Sequence, residues 1–353
     1  MEQLSHMAAN LLQAMIPIQA LSYEEDARAG FLMGWLATHG INASRTGNNI
    51  WAKEVFSENA PTLMLCAHID TVQAAESYTF DPLNPPMMED RILGLGSNDD
   101  GGSVVCMIAT FLYFKQKGSC PVNLLLLLSC EEERSGAGGT HSLKEFIKAN
   151  ADFAIIGEPT RMQANIAECG LLVLDGTATG KSAHAARPSE GENALYKALR
   201  DIETLRNFKF DRVSPALGAI KLMVTQINAG CAHNVIPDKC TFVVDIRPNE
   251  LYDNGEILQI LQSKVESTLR ARSLTNRASA TPSDSPLYKT ALHLGLDMVN
   301  SPTTSDWMCI PVPAMKMGPG DSRRSHKADE YILISEISDG IDNYIRFIEN
   351  IQL

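Results

Sequence analysis

The stretch Cys66-Ala67-His68-Ile69-Asp70-Thr71-Val72 decides how this chain is read. It closes an apolar run, Thr62 to Ala67, whose length and composition suit a strand buried on both faces. Side chains alternate across a strand, so His68 and Asp70 are expected on one side of the sheet, at its carboxyl end. Either a metal site begins here, or a strand merely ends in polar residues.

The segments on either side set the frame. Upstream, SYEEDARAGFLMGWLATHG predicts a helix opened by a capping box of Ser22 and Glu25 and closed at Gly40, and a short strand follows near Asn49 to Lys53. Downstream, GGSVVCMIATFLYFKQKG reads as a buried helix ending at Gly118, and PVNLLLLLSCEEE as an apolar strand running into three carboxylates. A helix near His141 to Ala149 and the strand DFAIIGEP come next. Strands that are apolar on both faces and alternate with helices predict an α/β fold with a mostly parallel sheet. From Gly170 the pattern changes to LLVLDGTATG, a helix from about Asn193 to Asn207, AIKLMVTQIN, CTFVVDIRP and a helix from about Asn254 to Arg272. That is a small α+β unit (β-α-β-β-α) with strands solvated on one face. After it, PAMKM and a C-terminal helix return to the first style. The expected organisation is one domain from residues 1–169 and 275–353, interrupted by an inserted domain at 170–274.

Composition narrows the class. The chain has 353 residues, 44% apolar and 20% charged, with a net charge of -12. This is an ordinary globular balance, and it argues against nucleic acid or a membrane as partner. None of the eight cysteines forms a C-x-x-C pair, so reduced, buried thiols and a cytoplasmic location are expected. At the N-terminus Leu4, Ala8, Leu11, Leu12 and Met15 share one helix face, which predicts a helix in place of a signal peptide or membrane span.

In an open parallel sheet, ligands bind at the carboxyl ends of the strands. Here those ends carry His68 and Asp70, then Glu131, Glu132 and Glu133, then Glu158, while GSNDDGG places Asp99 and Asp100 before a helix and GPGDSRRS leads to His326. Each feature alone suits a turn or a helix cap. Together they bring only imidazoles and carboxylates to one edge, and three adjacent glutamates repel unless a cation compensates. Such donors without thiolate suit a catalytic divalent ion such as zinc, and two histidines with three carboxylates suit two metals sharing a bridge. On this reading His68 is a ligand and Asp70 orients it.

HIDTV, GSNDDGG, EEE, GEPT and GPGDSRRSHKADE, in this order, resemble the di-zinc aminoacylase and exopeptidase family, closest to its acetylornithine deacetylase and succinyl-diaminopimelate desuccinylase branch. The resemblance implies a catalytic domain of zinc-aminopeptidase type, two Zn2+ per chain with Co2+ as a substitute, and an inserted lid that dimerises. It implies His68, Asp99, Glu133, Glu158 and His326 as ligands, Asp99 as the bridge, a cis Asp99–Asp100 peptide, and Glu132 as general base with Glu131 as the alternative. Two departures from the family pattern stand out: Gly101-Gly102 follows the aspartate pair where many members have lysine, and Glu131 replaces an aspartate. In the lid, GKSAHAARP matches a histidine, His184, that polarises the scissile carbonyl from a partner subunit, and HNVIP and DIRP place Asn234 and Arg247 near substrate.

The implied chemistry is hydrolysis of the amide of an Nα-acyl amino acid, with acetylornithine or its carbamoylated relative citrulline favoured, in arginine synthesis. A substrate α-carboxylate wants a guanidinium, for which Arg247, Arg323 and Arg324 are candidates. The alternatives are a desuccinylase or dipeptidase of the same family, and a non-catalytic metal-binding relative.

Overall fold

All seven residues of the strand Thr62–His68 are buried. It pairs in parallel with Asn123–Ser129 and with Phe153–Ile156, setting His68 beside Ser129 and Cys66 beside Ile156. The computed structural model describes residues 2–353. The sheet runs in the spatial order Ser44–Thr46, Asn49–Glu54, Asn123–Ser129, Thr62–His68, Phe153–Ile156, Ala314–Lys316, Ala164–Glu168. The four strands from Asn123–Ser129 to Ala314–Lys316 are parallel, and their neighbours at both edges are antiparallel.

Period-two alternation sorts these apolar runs into two cores. Leu63, Leu65, Ala67, Leu124, Leu126 and Leu128 pack on one face with residues of the helices Glu2–Met15, Gly101–Lys117 and Ile334–Glu349. Met64, Cys66, Leu125 and Leu127 pack on the other with Leu143, Ile147 and Trp307. Each buried leucine or methionine contributes about 1.5–3 kcal/mol, so register is fixed and the polar strand ends fall at one edge.

The chain forms two units. The first comprises the chain up to Ile166 with Thr281–Val299 and Ser305–Leu353; the second comprises Ala167–Ala280 with Asn300–Thr304. The second holds an antiparallel sheet in the order Lys221–Ala229, Lys239–Arg247, Leu172–Thr179, Thr268–Ala271. Burial alternates along Leu172–Thr179, and its inward residues pack with those of the helices Ala194–Asn207 and Asn254–Gln262.

Three local expectations change. The helix expected from Ser22 begins at Asp26, because the Ser22 hydroxyl and the Glu25 carboxylate are engaged elsewhere and Tyr23 is left-handed at φ 77°. The helix expected to run to Arg272 stops at Gln262, and Thr268–Ala271 is a strand against Leu172–Thr179. The buried Asp201 carboxylate accepts the Glu266 and Ser267 N–H groups at 3.1 and 2.8 Å, which gives this turn its partners. All eight cysteines are free thiols, but Cys231 is exposed and Cys120 and Cys309 are only half-buried where burial was expected. Among the described residues no helix is long and apolar enough to cross a membrane.

Candidate metal centre

The parallel strands deliver their polar ends to one place. His68, the last residue of its strand, is only 3% exposed. Its Nδ1 lies 3.1 Å from the Asp70 carbonyl oxygen and its Nε2 3.2 Å from Asp99 Oδ1. Asp99 precedes the helix Gly101–Lys117, and its peptide bond to Asp100 is cis. On its far side His326 Nε2 lies 3.7 Å from Asp99 Oδ2 and 3.0 Å from Glu133 Oε2. His326 itself is left-handed, φ 58°, a region a non-glycine residue rarely occupies and one that recurs at functional sites.

Two sets of donor atoms, each within 4.8 Å of one another, could hold a cation: His68, Asp99 and Glu133, and His68, Glu132 and Glu158. Every donor is an imidazole or a carboxylate oxygen, a set that suits zinc or another divalent ion. The electrostatics fit the same reading. Burial pushes the Glu132 carboxyl well above the usual range, against the opposing charge of His68, and the charges of Glu158, Asp306 and Glu133 push it further. Glu158 is likewise raised by burial and by Asp99 and Asp100, with Lys316 and His68 opposing. Burial disfavours a charged His68, yet Asp70, Asp99 and Glu132 prevail and hold its pKa well above normal. Glu133 holds His326 up at about 9.

A supporting layer surrounds these groups. Asp70, 1% exposed, accepts the Glu132 and Glu133 N–H groups, each at 3.1 Å, and the Ser22 hydroxyl at 2.7 Å. Glu131 turns away from the cluster: its Oε2 accepts the Gly138 N–H at 2.8 Å, and a Cβ at Gly136 or Gly138 would strike its carboxylate. Sequence reasoning gave no role to Glu330, although it lies inside a quoted motif. Its buried carboxylate accepts the N–H groups of Gly96, Asn98 and Asp99 at 3.0, 2.9 and 2.9 Å, pinning the loop that carries Asp99. Asp306 was also missed; it accepts the Ser129 and Thr140 hydroxyls, each at 2.6 Å.

The candidate substrate residues lie in varied settings. In the second unit His184 and Val235 are paired residues on short antiparallel strands, and the Asn234 carbonyl accepts the Ala185 N–H at 2.9 Å, so His184 and Asn234 are neighbours on an exposed edge. Arg247 pairs with Asp245, Nε to Oδ1 at 2.9 Å. In the first unit Arg323 pairs with Asp321 at 2.6 Å. Arg324 holds Glu336 at 2.6 and 3.0 Å and lies over the Tyr331 ring. These three guanidiniums already have carboxylate partners, so a substrate carboxylate would have to compete for them.

A cluster of imidazoles and carboxylates at the carboxyl edge of a mostly parallel sheet, with His68 and Asp99 buried and His326 exposed, suits a metal-dependent hydrolase. The chain belongs to peptidase family M20/M25/M40, whose model matches residues 64–350, and it is a hydrolase acting on amide bonds. It is 24% identical over 378 residues to a succinyl-diaminopimelate desuccinylase of Rickettsia bellii, covering 97% of this chain and 96% of the relative. It is 28% identical over 341 residues to an acetylornithine deacetylase of Edwardsiella ictaluri, covering 89% and 88%. Its fold is similar to aminopeptidase PepT of Bacillus cereus, with a TM-score of 0.79 at 15% identity and 98% coverage of both chains. It is similar also to Bacillus subtilis YXEP, described as a dinuclear metal binding peptidase, with a TM-score of 0.74 at 14% identity over 99% of this chain and 100% of that one.

Proposed function

We propose that this chain is a binuclear deacylase that releases a free amino acid from an Nα-acyl amino acid, with acetylornithine or acetylcitrulline as substrate and arginine synthesis as its setting. The observation that carries this reading is the gathering of His68, Asp99, Glu132, Glu133 and Glu158 within reach of two cation positions. We assign His68 and Glu158 to one ion, Glu133 and His326 to the other, and Asp99 to the bridge. Zinc is the proposed metal, with cobalt as a substitute. When bound, the ions supply Lewis acidity that brings the pKa of water toward neutrality.

Glu132 is the proposed base. Its carboxylate faces the cluster where that of Glu131 does not. It removes a proton from the attacking water and returns it to the leaving amine nitrogen. Asp70 holds the His68 ring and the backbone of the glutamate turn. His184 and Asn234 are assigned to the substrate carbonyl and Arg247 to its carboxylate, within a homodimer built through the second unit. The free cysteines support a reducing, cytoplasmic setting.

A second reading, desuccinylation of succinyl-diaminopimelate, is favoured by the relatives bearing that name, which align over nearly the whole chain. Turnover by the zinc-loaded protein on acetylornithine, acetylcitrulline, succinylornithine, succinyl-diaminopimelate and a dipeptide separates the two. A rate on succinyl-diaminopimelate far above that on the acetyl compounds would replace the first reading by the second.

A further inference from the structure

Ser22 and Glu25, which look in sequence like a helix cap, are not used as one: the helix starts at Asp26 and receives no side-chain cap bond from Glu25. Glu25 reaches instead to the turn that carries the three glutamates, and Ser22 to Asp70, which holds that turn. The Ser22 hydroxyl donates to Asp70 Oδ2 at 2.7 Å, and the same carboxylate takes the Glu132 and Glu133 N–H groups. Glu25 is fully buried, and its Oε1 accepts the Glu131 N–H at 3.0 Å and the Tyr23 N–H at 2.9 Å. Its Oε2 accepts the Asn48 amide at 2.9 Å. Two carboxylates therefore capture three successive N–H groups, at residues 131, 132 and 133. The turn needs such capture, because Glu131 and Ser135 are both left-handed, at φ 60° and 47°. Arg28 ties the same segment to the strand end, donating to the Ile69 carbonyl at 2.9 Å and the Ile18 carbonyl at 2.7 Å.

We propose that Ser22 and Glu25 are positioning residues of the metal centre: they fix the backbone of the glutamate turn, through Asp70 and the Glu131 N–H, so that Glu132 and Glu133 face the ions. Neither belongs to the donor sets that could hold a cation. The physical reason is that a carboxylate ligand is only as well aimed as the backbone behind it, and residues behind a ligand shell typically account for about ten- to a hundred-fold in affinity or rate. The inference rests on the binuclear reading above.

The test uses the full chain with Ser22→Ala, Ser22→Thr and Glu25→Ala, measuring zinc affinity by competition with a chelator, kcat and KM on the best acyl amino acid, and Tm. Ser22→Ala is expected to weaken zinc binding and lower kcat, each by about tenfold, with KM within about twofold, while Ser22→Thr restores both. Glu25→Ala is expected to do the same more strongly; the half-buried Ser22 keeps the test open if that variant does not fold. A lower Tm with zinc affinity and kcat within about twofold of wild type would overturn the proposal. Zinc uptake by the wild-type protein needs no substrate, so its absence would remove the binuclear reading and this inference together, a result distinct from a silent Ser22→Ala.

Discussion

The two units handle charge in opposite ways. In the second, several charged side chains are neutralised in partly exposed pairs: Arg247 with Asp245, Arg272 with Asp175, Arg212 with Glu256. In the first, His68, Asp99, Glu132, Glu133 and Glu158 crowd together with an excess of negative charge. Burying like charges costs several kcal/mol per ion, and a fold keeps such a cluster only where something offsets it. Charge balanced in pairs marks the second unit; carboxylates in excess over the cations beside them mark the candidate site.

The sharpest way to break that contrast is to remove the carboxylate proposed as the bridge. Asp99→Ala is expected to leave less than half the wild-type metal on elemental analysis and to abolish turnover, a loss of more than about 1,000-fold. Full metal content in that variant would refute Asp99 as the bridge. Glu132→Gln keeps shape but cannot accept the proton. It should lower kcat by about 100- to 10,000-fold with metal content near normal. Loss of metal there would make Glu132 a ligand and move the base elsewhere.

Much of this contrast is legible in sequence, for a simple reason. Continuous apolar runs such as Leu124 to Leu128 announce a two-sided parallel strand, and in such a sheet ligands gather at the carboxyl ends, so the residues after each run locate the site without coordinates. What stays hidden depends on partners distant in sequence. Ser22 meets Asp70 across 48 residues and Glu330 meets Asp99 across 231, and neither link has a local signature. Local pattern can even mislead: Ser22 and Glu25 have capping spacing, yet tertiary hydrogen bonds claim both. The strand Thr268–Ala271 is lost for another reason. Four residues are too few to show alternation, and no glycine or proline separates them from the preceding helix.

The same excess of charge predicts that metal binding depends on pH. In the metal-free protein His68 is held protonated well above its usual pKa, and His326 up to about 9, while Glu158 also retains its proton well above the usual carboxylate range. Ligands must release those protons to bind, so affinity falls as pH falls and rises toward about pH 9. Chelator competition from pH 6 to 9 reads this directly. A flat profile would mean that the cluster does not compete with protons for the ion.

A smaller effect, on stability, is expected at Glu330. Glu330→Gln leaves one acceptor where two oxygens serve three N–H groups, and sets its amide against the Gly96 N–H. An unsatisfied buried donor costs about 1–3 kcal/mol, so the denaturation midpoint should fall accordingly. An unchanged midpoint would mean that the Asp99 loop is held by other contacts.

The smallest effect on stability falls on the other side of the comparison. Arg247 and Asp245 form a partly exposed pair, and such pairs contribute at most about 1 kcal/mol, so Arg247→Ala should barely move the denaturation midpoint. Its kinetics are the informative part. If Arg247 leaves Asp245 to take a substrate carboxylate, losing that charge-assisted bond raises KM by roughly tenfold or more with kcat little changed. If KM stays put, Arg247 belongs with the other neutralised pairs, and the substrate carboxylate must find its cation elsewhere.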